Sequence, residues 1–259
     1  METTKTTESL CSQQEDLGVW RRFVTVPALF GLGLPAVLLG APVVVFAALL
    51  ESLFDPRQPR SRSLLFSLVL LVYEMAGVAG AVALWLAQGT VVRGAKQWRL
   101  SHEALQRWWA MGLYRWFARL LGMTVHIEGR ECLRRPGPVV MMVRHATYAD
   151  TVFPFIISAG AKRRFSYVLK QELCWDPCLD IVGHRLPNIF VRRATEGGRE
   201  QAALIGAVAG ALQADETLVI FPEGTRFTPA RRASLGRRLR NSGRDEMAAI
   251  ASSLKHTLP

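Results

Sequence analysis

The pattern of apolar and polar positions divides the chain into four stretches. Residues 1–22 are polar, rich in Thr, Ser, Gln and Glu, and read as a tail. The apolar run that follows starts too late and is too long for the core of a signal peptide. From Phe23 to Leu50 no residue is charged. Such a run exceeds the ~20 residues a helix needs to cross a hydrocarbon core. Pro27, Pro35 and Pro42 interrupt it, so the expected element is a kinked crossing helix, with a re-entrant segment as the alternative. Its length argues against a buried helix of a soluble domain. A connector from Glu51 to Arg62 leads to a second apolar stretch, Ser63 to Val92, whose one charged residue is Glu74. A carboxylate at that depth is expensive. Glu74 is therefore expected either to mark function or to make a tolerated helix contact. Residues 23–92 thus predict a transmembrane helical hairpin. Arg57, Arg60 and Arg62 lie at its turn, and Arg21, Arg22, Arg93, Lys96 and Arg99 at its open end. That excess of positive charge places both ends, and the domain that follows, in the cytoplasm.

Residues 93–121 change character. Trp98, Leu105, Trp109, Leu113, Trp116 and Leu120 share a face at helical spacing, and Arg99, Glu103, Arg107, Arg115 and Arg119 largely avoid it. Two readings fit: an amphipathic helix in the headgroup region, or one packed on the domain's own core. The two apolar runs before it favour the interfacial one. From about Met123 strand-like runs at 124–128, 139–143, 165–169, 188–192 and 217–221 alternate with helical stretches, the clearest being Gly198 to Gln213. The fold class expected is α/β, a mostly parallel sheet with flanking helices over 122–259. In such sheets ligands bind beyond the carboxyl ends of the strands.

Composition sharpens the membrane reading. Half of the residues are hydrophobic and the formal net charge is +11, with a mean hydropathy of +0.17. A basic, apolar chain suits anionic lipid surfaces or phosphate-bearing substrates. Nucleic acid is not expected as a partner, because no zinc-finger, RNP or basic-zipper pattern is present. The four cysteines lack the spacing of a disulfide framework or a zinc site and read as reduced thiols.

Three places carry chemistry. His145 and Asp150 follow the run Val139–Val143, so a base and a carboxylate able to orient it sit just past a strand. Arg192 and Arg193 follow Ile189-Phe190-Val191. Phe221-Pro222-Glu223-Gly224-Thr225-Arg226 follows another apolar run; its proline fixes one φ, its glycine permits close backbone approach, and Arg226 can fork onto a phosphate. Taken singly, each is also an ordinary surface turn.

Together these blocks resemble the glycerolipid acyltransferase family, typified by 1-acylglycerol-3-phosphate acyltransferase. His145 and Asp150 match its His-x-x-x-x-Asp block, with Arg144 for the usual Asn and Thr147 for Ser. Pro187 to Arg193 is similar to Gly-x-x-Phe-Ile-x-Arg without its leading glycine. Residues 221–226 match Phe-Pro-Glu-Gly-Thr-Arg in full. Lys170-Gln171-Glu172-Leu173, Pro177 and Gly183 resemble the region between the first two blocks. The resemblance implies acyl transfer from acyl-CoA or acyl-carrier protein to a lysophospholipid hydroxyl in phospholipid biosynthesis. It makes His145 the general base and Asp150 its orienting carboxylate. Arg193 and Arg226 hold the acceptor's phosphate, Glu223 its glycerol hydroxyls with Gly224 and Thr225 beside them, and Lys170 the developing oxyanion. No metal or other cofactor is implied. The family's fourth block, a Val-Pro-like turn on a later strand, has no counterpart before Pro259, so the domain is expected to be incomplete at its C-terminal end. A catalytically inactive, truncated lipid-binding or scaffold protein is therefore the alternative. A His/Asp-dependent lipid hydrolase is a third reading, without an evident nucleophile.

Overall fold

The computed structural model describes residues 19–55, 57–89, 94–144, 148–158, 163–191, 198–222 and 229–253. Its first half is a layer of three long helices. Helix α1 (Arg22–Ser52) runs unbroken through Pro27, Pro35 and Pro42. It is apolar all round, and only Gly33 and Val44 are buried. Helix α2 (Pro59–Leu86) opens with proline at a position where the missing N–H costs nothing. The Glu51 carboxylate at the end of α1 accepts from the Arg60 and Ser61 backbone N–H groups at 3.1 and 2.8 Å, so one helix caps the next. The two are antiparallel: Gly33 abuts Leu71, and Gly40 abuts Leu68. Both are long and apolar enough to cross a membrane.

Helix α3 (Gly94–Leu121) is the amphipathic helix the spacing predicts. It runs antiparallel to α2 along its length. Arg62 donates to the Leu120 carbonyl, Phe66 meets Phe117 edge-on at 5.4 Å, and Tyr73 stacks on Trp108 at 5.1 Å. At the closest approach a Cβ on Gly112 would overlap the Tyr73 ring, so only glycine fits. Most of the apolar stripe faces inward: Leu113 is buried, and Trp109 packs into two core clusters. Trp116 is the exposed member of the stripe. The sequence expectation for Arg99 needs correcting. It is 8% exposed and lies inside the fold, because its guanidinium pairs with Glu103 at 2.9 Å and Glu216 at 2.7 Å.

The second half is the expected parallel sheet. Strands β1 (Val139–Met142), β2 (Arg164–Lys170), β3 (Ile189–Val191) and β4 (Glu216–Ile220) are ordered β1-β4-β2-β3, all parallel. The fifth expected strand, 124–128, is not one. Its residues keep the alternating burial, with Val125 and Ile127 half-buried, but among the described residues no neighbour supplies a ladder. Alternation reports a half-buried extended segment; a strand also needs a partner.

Side chains alternate across the sheet. Phe165, Tyr167 and Val219 point to one face, where α3 and the short helix α4 (Phe153–Ile157) supply Ala110 and Phe155. Ile189 and Leu218 point to the other, covered by Val208 and Leu212 at and beyond helix α6 (Gly198–Gly210). Helix α5 (Pro177–Gly183), capped by the Asp176 side chain on the Leu179 N–H, joins the halves. Its Cys178 and Val182 pack on Val78 and Ala81 of α2, and a Cβ on Gly77 would collide with the Cys178 sulfur. Glu74 faces this joint, with Asp176, Trp109 and Cys178 around its carboxyl. Helices α7 (Pro229–Asn241) and α8 (Asp245–Ser253) end the described chain as a packed pair.

Candidate active site

Parallel strands put all four carboxyl ends on one edge of the sheet. Strands β1 and β4 are neighbours with Met142 opposite Ile220, and the Val143 N–H extends the ladder to the Ile220 carbonyl at 2.9 Å. The chain leaving β1 toward His145 and the chain leaving β4 toward Glu223 therefore depart side by side. Lys170 closes β2 one strand away, opposite Val191 at the end of β3, from which the chain leads to Arg193.

One apolar cluster fixes these departure points. Val143 before the first block, Val152 just after Asp150, Leu169 before Lys170 and Phe221 at the start of the third block all pack on Phe155, Phe165, Tyr167 and Val219. Asp150 sits in a 3-10 turn (Tyr148–Thr151) and is 6% exposed. A carboxylate so buried needs a cationic or hydrogen-bonding partner. Of the eight site residues expected from the sequence, Asp150 and Lys170 are described. His145, Arg193, Glu223, Gly224, Thr225 and Arg226 lie outside the described residues.

Proline at 187, where the family block has glycine, does not prevent β3 from forming. Asn188 of that block is structural: it accepts from the Tyr167 N–H at 2.8 Å and donates to the Gly183 carbonyl at 3.0 Å, tying β2 to the end of α5. Two further features escaped sequence reasoning. The Tyr167 hydroxyl is buried without a hydrogen-bond partner among the described residues, and burial raises its pKa well above the phenolic range against a lowering influence from Arg107. A tyrosine in a strand reads as core, so nothing in the sequence flagged it. The second feature is Asp180, wholly buried, held by Arg21 and by Arg22 at 2.6 Å. Burial pushes its carboxyl up, but hydrogen bonds from His184, Arg22 and Arg21 together outweigh this and hold it well below the usual carboxylate range.

Among the described residues, Cys174, Asp180 and His184 bring possible metal-ligand atoms within 4.8 Å of one another. The two arginines on Asp180 already satisfy its oxygens, and their charge opposes a cation there. Cys174 and Cys178 are buried and form no disulfide, and burial, with Glu74 and Asp176 nearby, raises the Cys178 pKa.

Residues 124–253, half of the chain, match the sequence model of the family described as Acyltransferase. The chain belongs to that family, the glycerolipid acyltransferases. No curated protein and no solved structure matches it. Membership accounts for the spacing of the three blocks and makes this an acyltransferase of lipid metabolism.

Proposed function

We propose that the protein transfers a fatty acyl group from acyl-CoA or acyl-carrier protein to the hydroxyl of a lysophospholipid of the lysophosphatidic acid type. The observation that carries this reading is the adjacency of β1 and β4, whose parallel ends launch the His145 and Glu223 segments from neighbouring positions. His145 removes the proton from the acceptor hydroxyl, and Asp150 orients the imidazole and stabilises its charged form. The resulting alkoxide attacks the thioester carbonyl. The tetrahedral intermediate collapses by expelling the thiolate, which takes the proton back from His145. Lys170 steadies the oxyanion, in line with its place at the end of β2. Arg193 and Arg226 hold the acceptor's phosphate, and Glu223 its glycerol hydroxyls, with Gly224 and Thr225 shaping the turn. The test is an acyl-transfer assay on membranes with labelled lysophospholipids and both thioester donors. Transfer to a lysophospholipid is expected; no transfer from either donor to any acceptor sinks the reading and leaves a lipid-binding role.

Helices α1 and α2 anchor the enzyme in a bilayer, on the cytoplasmic side. Exposed Leu32, Leu38, Leu39, Val45 and Phe46 on α1 support this. Helix α3 sets the depth, because it accompanies α2 as far as Arg62 and carries exposed Arg115 and Arg119 at that end. Taking those arginines through hydrocarbon is costly, which favours re-entrant insertion into one leaflet over two crossing helices. A cysteine at Gln58 in a cysteine-free background should then label from the same side as the sheet. Labelling from the opposite side restores the crossing hairpin.

A further inference from the structure

The pair α7–α8 has no task in the chemistry above. Its helices pack on each other, with Gly236 facing Ser252 across the pair and Ala248 1% exposed, and they make at most marginal contact with any other described element. Helix α7 contains no acidic residue and carries Arg231, Arg232, Arg237, Arg238 and Arg240, with Arg244 just beyond it. The side chains of Arg237, Arg238, Arg240 and Arg244 are exposed, and none has a carboxylate partner among the described residues. Apolar groups stand among them. Leu235 is 45% exposed, one helical turn from Arg238, and Met247 and Ile250, each 54% exposed, are neighbours on α8. A groove of about 350 Å³ between the helices is lined by Ala233, Gly236, Arg237, Arg240 and Ser252.

A highly basic surface studded with single large apolar side chains fits a charged interface that is apolar just beneath, a property of anionic bilayers. A nucleic-acid groove would add aromatic side chains for stacking, and α7 and α8 contain none. We infer that the α7–α8 pair is a second membrane contact, one that reads anionic headgroups. It differs from the α1–α2 anchor in depending on lipid charge.

The full chain in lipid nanodiscs tests this by hydrogen–deuterium exchange across residues 229–253. One set of discs is phosphatidylcholine alone; the other contains in addition a substantial fraction of phosphatidylglycerol. Exchange should slow in the anionic discs at physiological salt and recover when added salt shortens the screening length to about 3 Å. The R237Q/R238Q variant should lose about tenfold or more of that slowing, while flotation on phosphatidylcholine vesicles, which reports the α1–α2 anchor separately, stays unchanged. Equal exchange in both discs overturns the inference, as does slowing that survives in the variant. So does slowing produced by a short RNA or by free inorganic phosphate in neutral discs but not by anionic lipid.

Discussion

The two edges of the sheet draw on the same residue types and, on the function proposed above, put them to opposite uses. At the amino edge Arg163 donates to Thr217 Oγ1 at 2.7 Å and to the Gly137 and Glu216 carbonyls at 2.8 Å each. Arg99 reaches Glu216 from α3, and Arg164 forks onto Asp215 at 2.8 and 2.7 Å. These arginines spend their donors on the protein itself, and Arg163 is 3% exposed. At the carboxyl edge the strands end and the chain goes on into the segments that hold His145, Arg193 and Arg226. An arginine is thus a fastener at one edge and, on the reading above, a substrate contact at the other. Residue type alone does not separate the two; what separates them is which end of a parallel strand the residue lies on.

The contrast is broken or sharpened most strongly by His145→Ala. Loss of a positioned base should lower the transfer rate by about 10²–10⁴ with no change in the thermal unfolding midpoint. Near-normal turnover in the purified variant removes His145 from the mechanism. Glu216→Ala tests the opposite edge. It leaves Arg99 buried without its inner carboxylate and should cost about 3–5 kcal/mol of stability, while molecules that remain folded keep their KM. A fall in kcat/KM without a loss of stability would mean that the amino edge also serves catalysis. Arg226→Ala should raise KM for a phosphate-bearing acceptor and lower kcat, and Arg193→Ala should mainly raise KM. Both should lose the preference for that acceptor over a monoacylglycerol, and lysine should rescue each only in part. An unchanged preference in both makes these arginines structural.

The smallest effect belongs to Asp215, which is about half exposed. The Arg164 hydrogen bonds hold its carboxyl below the usual range against the opposing effect of burial. A carboxyl lowered by folding stabilises at pH values above its unfolded pKa. That contribution drains away as the pH falls from there through the lowered folded value. Asp215→Asn should therefore cost about 1 kcal/mol or less near neutrality and flatten the acid limb of the stability profile. A variant with the same acid limb as the parent excludes the pair as its source.

Much of this was legible in the sequence because its signals are local. The apolar runs, the stripe from Trp98 to Leu120 and the three blocks announce themselves within a few residues of chain. What stayed hidden depends on distant partners. Arg21 and Arg22 look like charges flanking a membrane helix, yet Asp180 captures both from α5. Arg99 looks like the polar face of α3 until Glu216 arrives from the far side of the sheet. The alternation at 124–128 was correctly seen and wrongly named, since no spacing states whether a neighbouring strand exists. Of the candidate site, the strand ends it was expected to follow were legible: Asp150 is in the turn after β1 and Lys170 ends β2. The order β1-β4-β2-β3, which sets His145's segment beside Glu223's, was not.

Helix α3 has a consequence for how this protein can be divided. The family resemblance begins at residue 124, but Ala110 and Trp109 fill the aromatic face of the sheet, and Arg99 neutralises Glu216. A chain cut at the start of the homologous segment would take Ala110 and Trp109 from Phe155, Phe165 and Tyr167 and leave Glu216 with Arg164 as its remaining cationic partner. The unit recognised by ancestry is thus smaller than the unit that closes the sheet's aromatic face. A gene fusion or rearrangement that carried the chemistry elsewhere would have to carry this helix with it.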